Sequence, residues 1–396
     1  MNRKALLLLF VVLTLAVSSI FATESRMTAL GNPFGFIRDN TDISYYPGVI
    51  NMYERNLRAE LGTTSFDWKL GANLPLMNNI LGVYLNEDTG INVDSYFTNG
   101  VNYYNTGDLN ISKKIQFYYG FMEKFGVGFG MAIDSKVEDY TDNPDEQAEM
   151  GANYFEITGG MSDDKMDLGL GLGFWGASDS NTDPSNKDEN TLGGFGFSAN
   201  GRYFVVENDN FDFVAAANLM FTGSSMENKD VISSSNTTTT NEDYGTLYFD
   251  LGIGLNYKFD ENNKLLFTVK PLTITSESYT GKTSAAPGDY EAGEAWLVVP
   301  TYTIGLESQI KPWLTGRVGG SQSYTFYADV DDPDGTSIDE DADYRSSFNA
   351  DLGLAMEFGN FTIDTVLSKS LLHQGPDFIG GGSPGFASMV SVNYNY

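Results

Sequence analysis

Hydrophobic and polar positions alternate through residues 247–259, which read L-Y-F-D-L-G-I-G-L-N-Y-K-F. Every odd position of this run is apolar or aromatic, whereas the even positions are mostly small, polar or charged. A period of two residues predicts a β-strand with one apolar and one polar face. Similar runs recur along the chain, and the last one ends at the aromatic Tyr396. The pattern therefore predicts an all-β protein, a transmembrane antiparallel up-and-down β-barrel.

Polar stretches of two lengths separate these runs, such as the brief turn at Glu123-Lys124 and the long stretch 225–243. Outer-membrane barrels have short periplasmic turns and long extracellular loops, so we expect the cell outer membrane, with both termini periplasmic. About sixteen strands follow, with fourteen as the alternative because Pro75 blurs the first ones. The predicted strands are 54–63, 67–75, 80–86, 111–121, 125–138, 151–161, 166–177, 192–206, 211–224, 244–259, 265–279, 295–309, 313–328, 344–358, 360–372 and 385–396.

Residues 1–22 have the features of a secretory signal peptide. A basic Asn2-Arg3-Lys4 precedes an apolar run over residues 5–17, and small residues lead to a predicted cleavage after Ala22. An uncleaved membrane anchor is the alternative interpretation. The expected organisation is a signal peptide over 1–22, an N-terminal periplasmic hatch segment over 23–52 and the barrel over 53–396.

The chain is strongly acidic, with 23 Lys and Arg against 53 Asp and Glu and a net charge of −30. Phosphate binding requires a basic surface, so this balance excludes nucleic acid as a partner. The acidic residues concentrate in the long polar stretches, which indicates loops that face water. Cysteine is absent, so closure of the sheet has to stabilise the fold without disulfides. The expected partners are outer-membrane lipid and the barrel assembly machinery.

Charged residues of both signs fall on the polar faces of the predicted strands and therefore on the inner wall of the barrel. They indicate a water-filled or plugged lumen with paired charges; alternatively they only solvate the lumen, because an unpaired buried charge is costly. The lumen-facing candidates are Arg58, Glu60, Lys69, Asp134, Lys136, Asp167, Arg202, Asp212, Asp250, Lys258, Arg317, Arg345, Asp351 and Glu357.

The segment after the leader does not look like a strand. Arg26-Met-Thr-Ala-Leu-Gly31 leads to Asp39-Asn-Thr-Asp-Ile-Ser-Tyr-Tyr-Pro-Gly-Val-Ile50. This arrangement resembles the pre-barrel segment of the long-chain fatty-acid transporter superfamily of outer-membrane barrels and of its relatives in type IX secretion. The acidic Asp39 with Asn40, the proline Pro47 and the closing aliphatic Ile50 follow the family pattern; Tyr46, Gly48 and Val49 depart from it.

The resemblance implies that this segment forms a small hatch inside the periplasmic end of the barrel, with Asp39, Tyr45, Tyr46 and Pro47 among its residues. A flexible periplasmic tail is the alternative. Glycines alternate with large residues in two strands, at 126, 128 and 130 and again at 169, 171 and 173. On the lumen face they leave room for the hatch or a solute, or they relieve curvature in a closed sheet.

The last strand has an apolar face that ends in aromatic residues. We expect the barrel assembly machinery to recognise this end as an assembly signal. The residues on that face are Phe386, Val390, Val392, Tyr394 and Tyr396.

The acidic stretch 329–341 is the one weak candidate for a metal site. Asp329, Asp331, Asp332 and Asp334 supply carboxylates that suit calcium, although the glycine stands seventh rather than sixth as in an EF-hand loop. An acidic surface loop is the favoured interpretation, and we expect no other cofactor. His373 is the only histidine, which argues against an enzyme because a catalytic Ser-His pair would depend on it alone.

These features predict an outer-membrane channel or transporter for the passive passage of small solutes, hydrophobic ones included. The alternative function is an anchor or subunit of a surface or secretion assembly that transports nothing. Single-channel recording distinguishes the two.

Overall fold

The computed structural model describes residues 23–33, 35–62, 68–91, 111–139, 147–181, 187–233, 236–283, 289–332, 339–367 and 387–396. Within these ranges, no helix has both the length and the apolar character needed to cross a membrane.

The described residues form a closed barrel of sixteen antiparallel strands, as the alternation predicted. Each strand pairs with its neighbours in sequence, and β1 pairs with β16 in the register Arg58↔Asn393. The strands are β1 Asn56–Leu61, β2 Trp68–Leu76, β3 Asn79–Asp88, β4 Lys113–Phe121, β5 Phe125–Asp139, β6 Gln147–Ser162, β7 Met166–Asn181, β8 Lys187–Glu207, β9 Phe211–Ser233, β10 Asn236–Lys258, β11 Asn263–Thr283, β12 Asp289–Lys311, β13 Leu314–Asp332, β14 Asp339–Phe358, β15 Phe361–Leu367 and β16 Ala387–Asn395.

The connections differ between the two ends of the barrel. At the short-turn end, hairpins are as tight as the one at Met77-Asn78, and β1 begins here beside the end of β16. The backbone N–H of Tyr396 donates to the carbonyl of Arg55 over 3.1 Å, so the two ends of the sheet meet at this seam. The other end carries the longer connections and is called the long-loop end.

Several strands are longer than the sequence pattern predicted. The stretch 225–243, expected to be a loop, extends β9 and β10 as a continuous ladder up to the pair Thr237↔Val231. The prediction was wrong here because a strand that leaves the bilayer has water on both faces and loses its apolar alternation. Threonine, which is frequent in this stretch, nevertheless favours strand geometry.

The outer surface is apolar. In β7, Leu168, Leu170 and Leu172 point outward and are 44–59% exposed, while the glycines between them point inward. Aromatic rings mark the rim at the short-turn end, where Phe361 stacks on Tyr394 with ring centroids 4.3 Å apart. An apolar belt with aromatic rims is the surface of a transmembrane barrel.

Candidate functional site

The hatch segment lies inside the barrel, in the half nearest the short turns. It contains a short helix, α1 (Glu24–Ala29), and two 3₁₀ helices, Asn40–Ser44 and Pro47–Met52. Thr23 caps α1, because its side chain accepts a hydrogen bond from the Arg26 N–H. Hydrogen bonds within and beside these short helices, such as Met27 N–H to the Thr23 carbonyl over 3.0 Å, pair backbone polar groups that are enclosed by the wall.

The hatch segment contacts all sixteen strands of the wall. Hydrogen bonds, ion pairs, close approaches to wall glycines and apolar packing make up this ring of contacts. One contacting wall residue from each strand, in order, is Glu60, Lys69, Gly82, Gly120, Gly126, Gly160, Gly169, Arg202, Ala216, Asn256, Leu266, Glu307, Gly319, Gly353, Asp364 and Ser391. The segment therefore lies across the lumen at this level, with contacts on every side.

Wall glycines make the closest approaches possible. A Cβ atom at Gly169 would lie 1.7 Å from the carbonyl oxygen of Tyr45, and one at Gly126 would lie 2.0 Å from that of Pro47. Backbone therefore packs directly against backbone at these two positions. The other alternating glycines leave room for side chains of neighbouring strands, as Gly128 does for Thr158. The groove expected for the hatch segment thus occurs at Gly169 and Gly126.

A buried ion cluster joins the middle of the hatch segment to β7 and β8. The guanidinium of Arg202 contacts Asp42 Oδ2 at 2.8 Å and Asp167 Oδ2 at 2.5 Å, and its Nη1 donates to the Ile37 carbonyl over 2.8 Å. All three charged side chains are fully buried. Arg38 of the hatch segment adds a second contact to Asp167, with its Nε 3.1 Å away. The pairing offsets much of the cost of burying these charges.

A second ion cluster joins α1 to the opposite wall. Arg26 forms a two-pronged contact with Glu307, at 2.7 and 3.0 Å. Arg317 also binds Glu307, at 2.7 Å, and donates a further hydrogen bond to Asp364. Asp364 in turn accepts a hydrogen bond from the hydroxyl of Thr23 over 3.0 Å. Hydrogen bonds between guanidinium and carboxylate groups are directional, so this cluster fixes the position of α1.

Asp39 has an unusual electrostatic environment. One oxygen of its carboxyl accepts hydrogen bonds from Thr41, while Oδ2 is buried and has no partner among the described atoms. The Asp39 N–H donates to the carboxylate of Asp42, which holds the two acids close together. Burial, with the nearby charge of Asp42, raises the pKa of Asp39 to about 7. This group therefore titrates near neutral pH, inside the hatch segment.

Above the hatch segment, towards the long-loop end, the inner wall of β5–β9 carries an apolar wall patch. Ile111, from the connection before β4, is fully buried against it, and its carbonyl accepts a hydrogen bond from Thr89 Oγ1 over 2.8 Å. The wall side chains of the patch are at most 8% exposed, so in this structure the patch is covered, in part by Ile111. The wall residues of the patch are Ala132, Met150, Ala152, Tyr154, Trp175, Ala177, Leu192 and Met226.

A polar cluster separates the apolar wall patch from the hatch segment. Glu156 receives three contacts: Lys114 Nζ at 2.6 Å, Gln116 Nε2 at 2.6 Å and the hydroxyl of Tyr154 at 2.5 Å. Tyr154 belongs to both surfaces, with its ring in the patch and its hydroxyl in the polar cluster. The apolar wall patch therefore ends at a paired cation and carboxylate.

The lumen-facing candidates lie on the inner face of their strands, and the structure brings only some of them to the hatch segment. Asp167, Arg202 and Arg317 take part in the ion clusters, and Lys69 pairs with Glu24 at 2.5 Å. Glu60 accepts a hydrogen bond from the Glu24 N–H, and Arg58 donates to the Asn40 carbonyl of the hatch segment over 3.5 Å as well as binding Glu87. Among the remaining candidates, Asp250 binds Lys270, Lys258 binds Asp212, Asp351 accepts from Asn349, and the exposed Arg345 near the long-loop end binds Asp343; Asp134, Lys136 and Glu357 are partly exposed.

Several residues of the site were not identified from the sequence. Glu307 and Asp364 both stand at inward positions of their strands, so the alternation could have identified them. Arg26, Arg38 and Asp42 of the hatch segment carry no such signal, because no strand period orients them. The hatch residues singled out from the sequence also meet the wall: Tyr45 and Pro47 through their carbonyls, and Tyr46 through its ring, which lies 4.6 Å from the Arg202 guanidinium.

Other predicted sites fall at the limits of the described residues. Asp329, Asp331 and Asp332 end β13 and their side chains are not described, whereas Asp334 lies outside the described residues. The calcium site therefore stays a prediction, and the described residues contain no cluster of three or more acidic or histidine side chains able to hold a metal. Val390, Val392 and Tyr394 share the outer face of β16, while Phe386 lies outside the described residues.

No protein-family model and no curated protein matches this sequence. Solved structures similar to the chain include the toluene transporter TbuX of Ralstonia pickettii, with 11% identity, a TM-score of 0.37 and coverage of 94% of this chain and 96% of that one. A FadL homologue of Pseudomonas aeruginosa has 8% identity, a TM-score of 0.31 and coverage of 91% and 95%. The outer membrane protease OmpT of Escherichia coli has 10% identity, a TM-score of 0.25 and coverage of 69% and 96%.

Proposed function

We propose that this protein is an outer-membrane transporter for the passive passage of small solutes, and that the hatch segment closes its pathway at the short-turn end. The contact of that segment with all sixteen strands carries the proposal. A permanently open pore does not need a wall fitted to an internal segment. A gated pathway does, because the closed state must exclude ions and water.

The apolar wall patch favours solutes with an apolar body. Trp175, Tyr154 and Met150 are buried here in one cluster with Ile111, and a solute that displaces Ile111 would gain aromatic and thioether contacts with them. Lys114 and Glu156 at the edge of the patch can orient a polar group of the same solute. The solute would enter from the long-loop end and reach the patch before it meets the hatch segment.

The placement in the membrane follows from the barrel. We propose that the short-turn end and both termini face the periplasm and that the long-loop end faces outside the cell, as in other outer-membrane barrels. The surplus of acidic residues in the long polar stretches keeps that end in water. The protein is proposed not to be an enzyme, because its sequence contains a single histidine and no phosphate-binding or zinc motif.

Conductance across planar bilayers tests the gate. The wild-type protein should be nearly silent, and a variant that lacks residues 26–48 but keeps the leader should conduct steadily. Glu123→Gln, in an exposed turn, serves as the matched control and should stay silent. A deletion variant that folds and stays silent would contradict the transport proposal.

Binding of apolar solutes tests the second half of the proposal. An apolar solute should change the fluorescence of the wild-type protein, and the change should disappear in Trp175→Phe, while Trp313→Phe, on the outer rim, should retain it. The alternative function, an anchor or subunit of a surface assembly, gains support if no apolar solute binds and the barrel copurifies with stable partners.

A further inference from the structure

The first residues of the hatch segment are anchored more closely than a chain end requires. Thr23 is fully buried, its hydroxyl donates to Asp364, and the same oxygen caps α1. The Glu24 N–H donates to Glu60 Oε1 over 3.0 Å, and Ser25 contacts Ser391 at 2.7 Å. Three consecutive residues thus bind three different strands of the wall. Chain termini usually fray unless such contacts hold them.

Glu60 lies beside this anchor with an incomplete set of partners. Its Oε2 atom is buried and has no hydrogen-bond partner among the described atoms. The nearest guanidinium nitrogen, Arg58 Nε, is 3.9 Å from Oε1, and that guanidinium binds Glu87 at 2.8 Å. The neighbouring acids have cations of their own, since Lys69 binds Glu24 and Arg317 binds Asp364. A buried carboxylate left short of partners is costly, so a further positive group would stabilise it here.

We infer that the missing group is the α-ammonium of Thr23, created when the leader is removed after Ala22. Hydrolysis of the Ala22–Thr23 peptide bond consumes one water, which gives its hydroxyl to the Ala22 carbonyl carbon and a proton to the Thr23 nitrogen. The new amine takes up a second proton, because the pKa of an α-amino group is about 8. Consecutive backbone nitrogens of an extended residue are roughly 3.6 Å apart, so the charge arises beside the carboxylate that already binds Glu24.

Leader removal therefore completes the anchor of the hatch segment. A small polar cavity of about 20 Å³ borders Glu24, Glu60 and Lys69, which leaves space for the ammonium to adjust its position. Before cleavage the same nitrogen is an uncharged amide, and Glu60 still lacks this positively charged partner. The hatch segment reaches its full stability only in the processed protein, which links export to closure of the barrel.

Two measurements on the wild-type protein test the inference directly. The intact mass of protein purified from outer membranes should correspond to Thr23 as the first residue. Acylation of the α-amine should be at least tenfold slower in the folded protein than in urea, whereas exposed Lys124 should react at similar rates in both. A different first residue, or an α-amine that reacts equally fast in both states, would overturn the inference.

Two variants then assign the protection to Glu60. Glu60→Gln keeps the acceptor for the Glu24 N–H and loses the charge, so the α-amine should be acylated severalfold faster and trypsin should cleave after Arg26. Insertion of Gly-Ser after Ala22 moves the amine and should have the same effect, while Glu123→Gln should match the wild type. Unchanged protection in both variants contradicts the inference. The labelling of the wild-type protein stays decisive if Glu60→Gln does not assemble, and none of these results depends on transport.

Discussion

At the scale of single residues, Arg202 is the side chain whose loss should most weaken the hatch segment. Arg202→Leu leaves Asp42 and Asp167 buried without their main partner, which should cost about 3–5 kcal/mol of docking free energy. Limited proteolysis should show new cleavage within residues 23–52 while the barrel remains resistant. In Lys258→Leu the lost pair is partly exposed, since the Lys258 side chain is 30% accessible, so its cost should stay below about 1 kcal/mol. Equal resistance of Arg202→Leu and the wild type would refute the role given to this arginine.

A second prediction at this scale concerns pH. The folded-state pKa of Asp39 is raised to about 7, above the ordinary value of 3.8, so the docked segment binds more protons than the undocked one between these values. The contribution of Asp39 to the docking free energy is therefore greatest below about pH 4, falls as pH rises to about 7 and is level above it. Hydrogen exchange of the hatch amides, corrected for intrinsic rates, should show this decline. Asp39→Asn keeps the shape without the charge and should make this decline shallower; a wild-type profile in that variant would exclude Asp39 as a cause.

At the scale of elements, the two faces of β10 should respond differently to the same substitution. Leu251→Arg puts a charge on the lipid face and should cost the barrel roughly 2–4 kcal/mol. Gly252→Arg points inward, where even a Cβ atom would lie 2.4 Å from the Phe36 ring. It should therefore spare the barrel and expel the hatch segment. Urea titrations in lipid vesicles measure the first effect and protease sensitivity the second, and a reversed pair of results would mean that the faces are misassigned.

At the scale of the whole molecule, closure depends on the seam between β1 and β16. Deletion of Tyr394 to Tyr396 removes the pairing of Tyr394 with Leu57, its stacking on Phe361 and the hydrogen bond to Arg55. We predict a sharp fall in the outer-membrane level of heat-modifiable protein, because both assembly and closure need this end. Tyr396→Phe keeps the aromatic ring and should be near the wild-type level. Normal levels of folded protein in the deletion variant would contradict the prediction.

Much of this architecture was available from the sequence because strand periodicity is local. A side chain that alternates with its neighbours shows which face it occupies without any knowledge of the partner strand. The lipid face of Leu251 and the inward position of Arg202 follow from this rule alone, whereas the number of strands, predicted as sixteen or fourteen, also required the pattern of short and long polar stretches. The alternation failed where both faces meet water, and so the polar ends of β9 and β10 were expected to be loops.

Only the tertiary structure decided which inward groups meet. The sequence predicts that Arg202 and Arg345 both face the lumen. Arg202 is buried against Asp42, whereas Arg345 is exposed near the long-loop end. Likewise Gly169 receives the backbone of the hatch segment, whereas Gly128 receives a wall side chain. These outcomes depend on the depth of each residue in the barrel and on the path of a segment distant in sequence. Local periodicity determines neither the depth nor the path, because it orients a residue within its strand but does not bring two distant segments together.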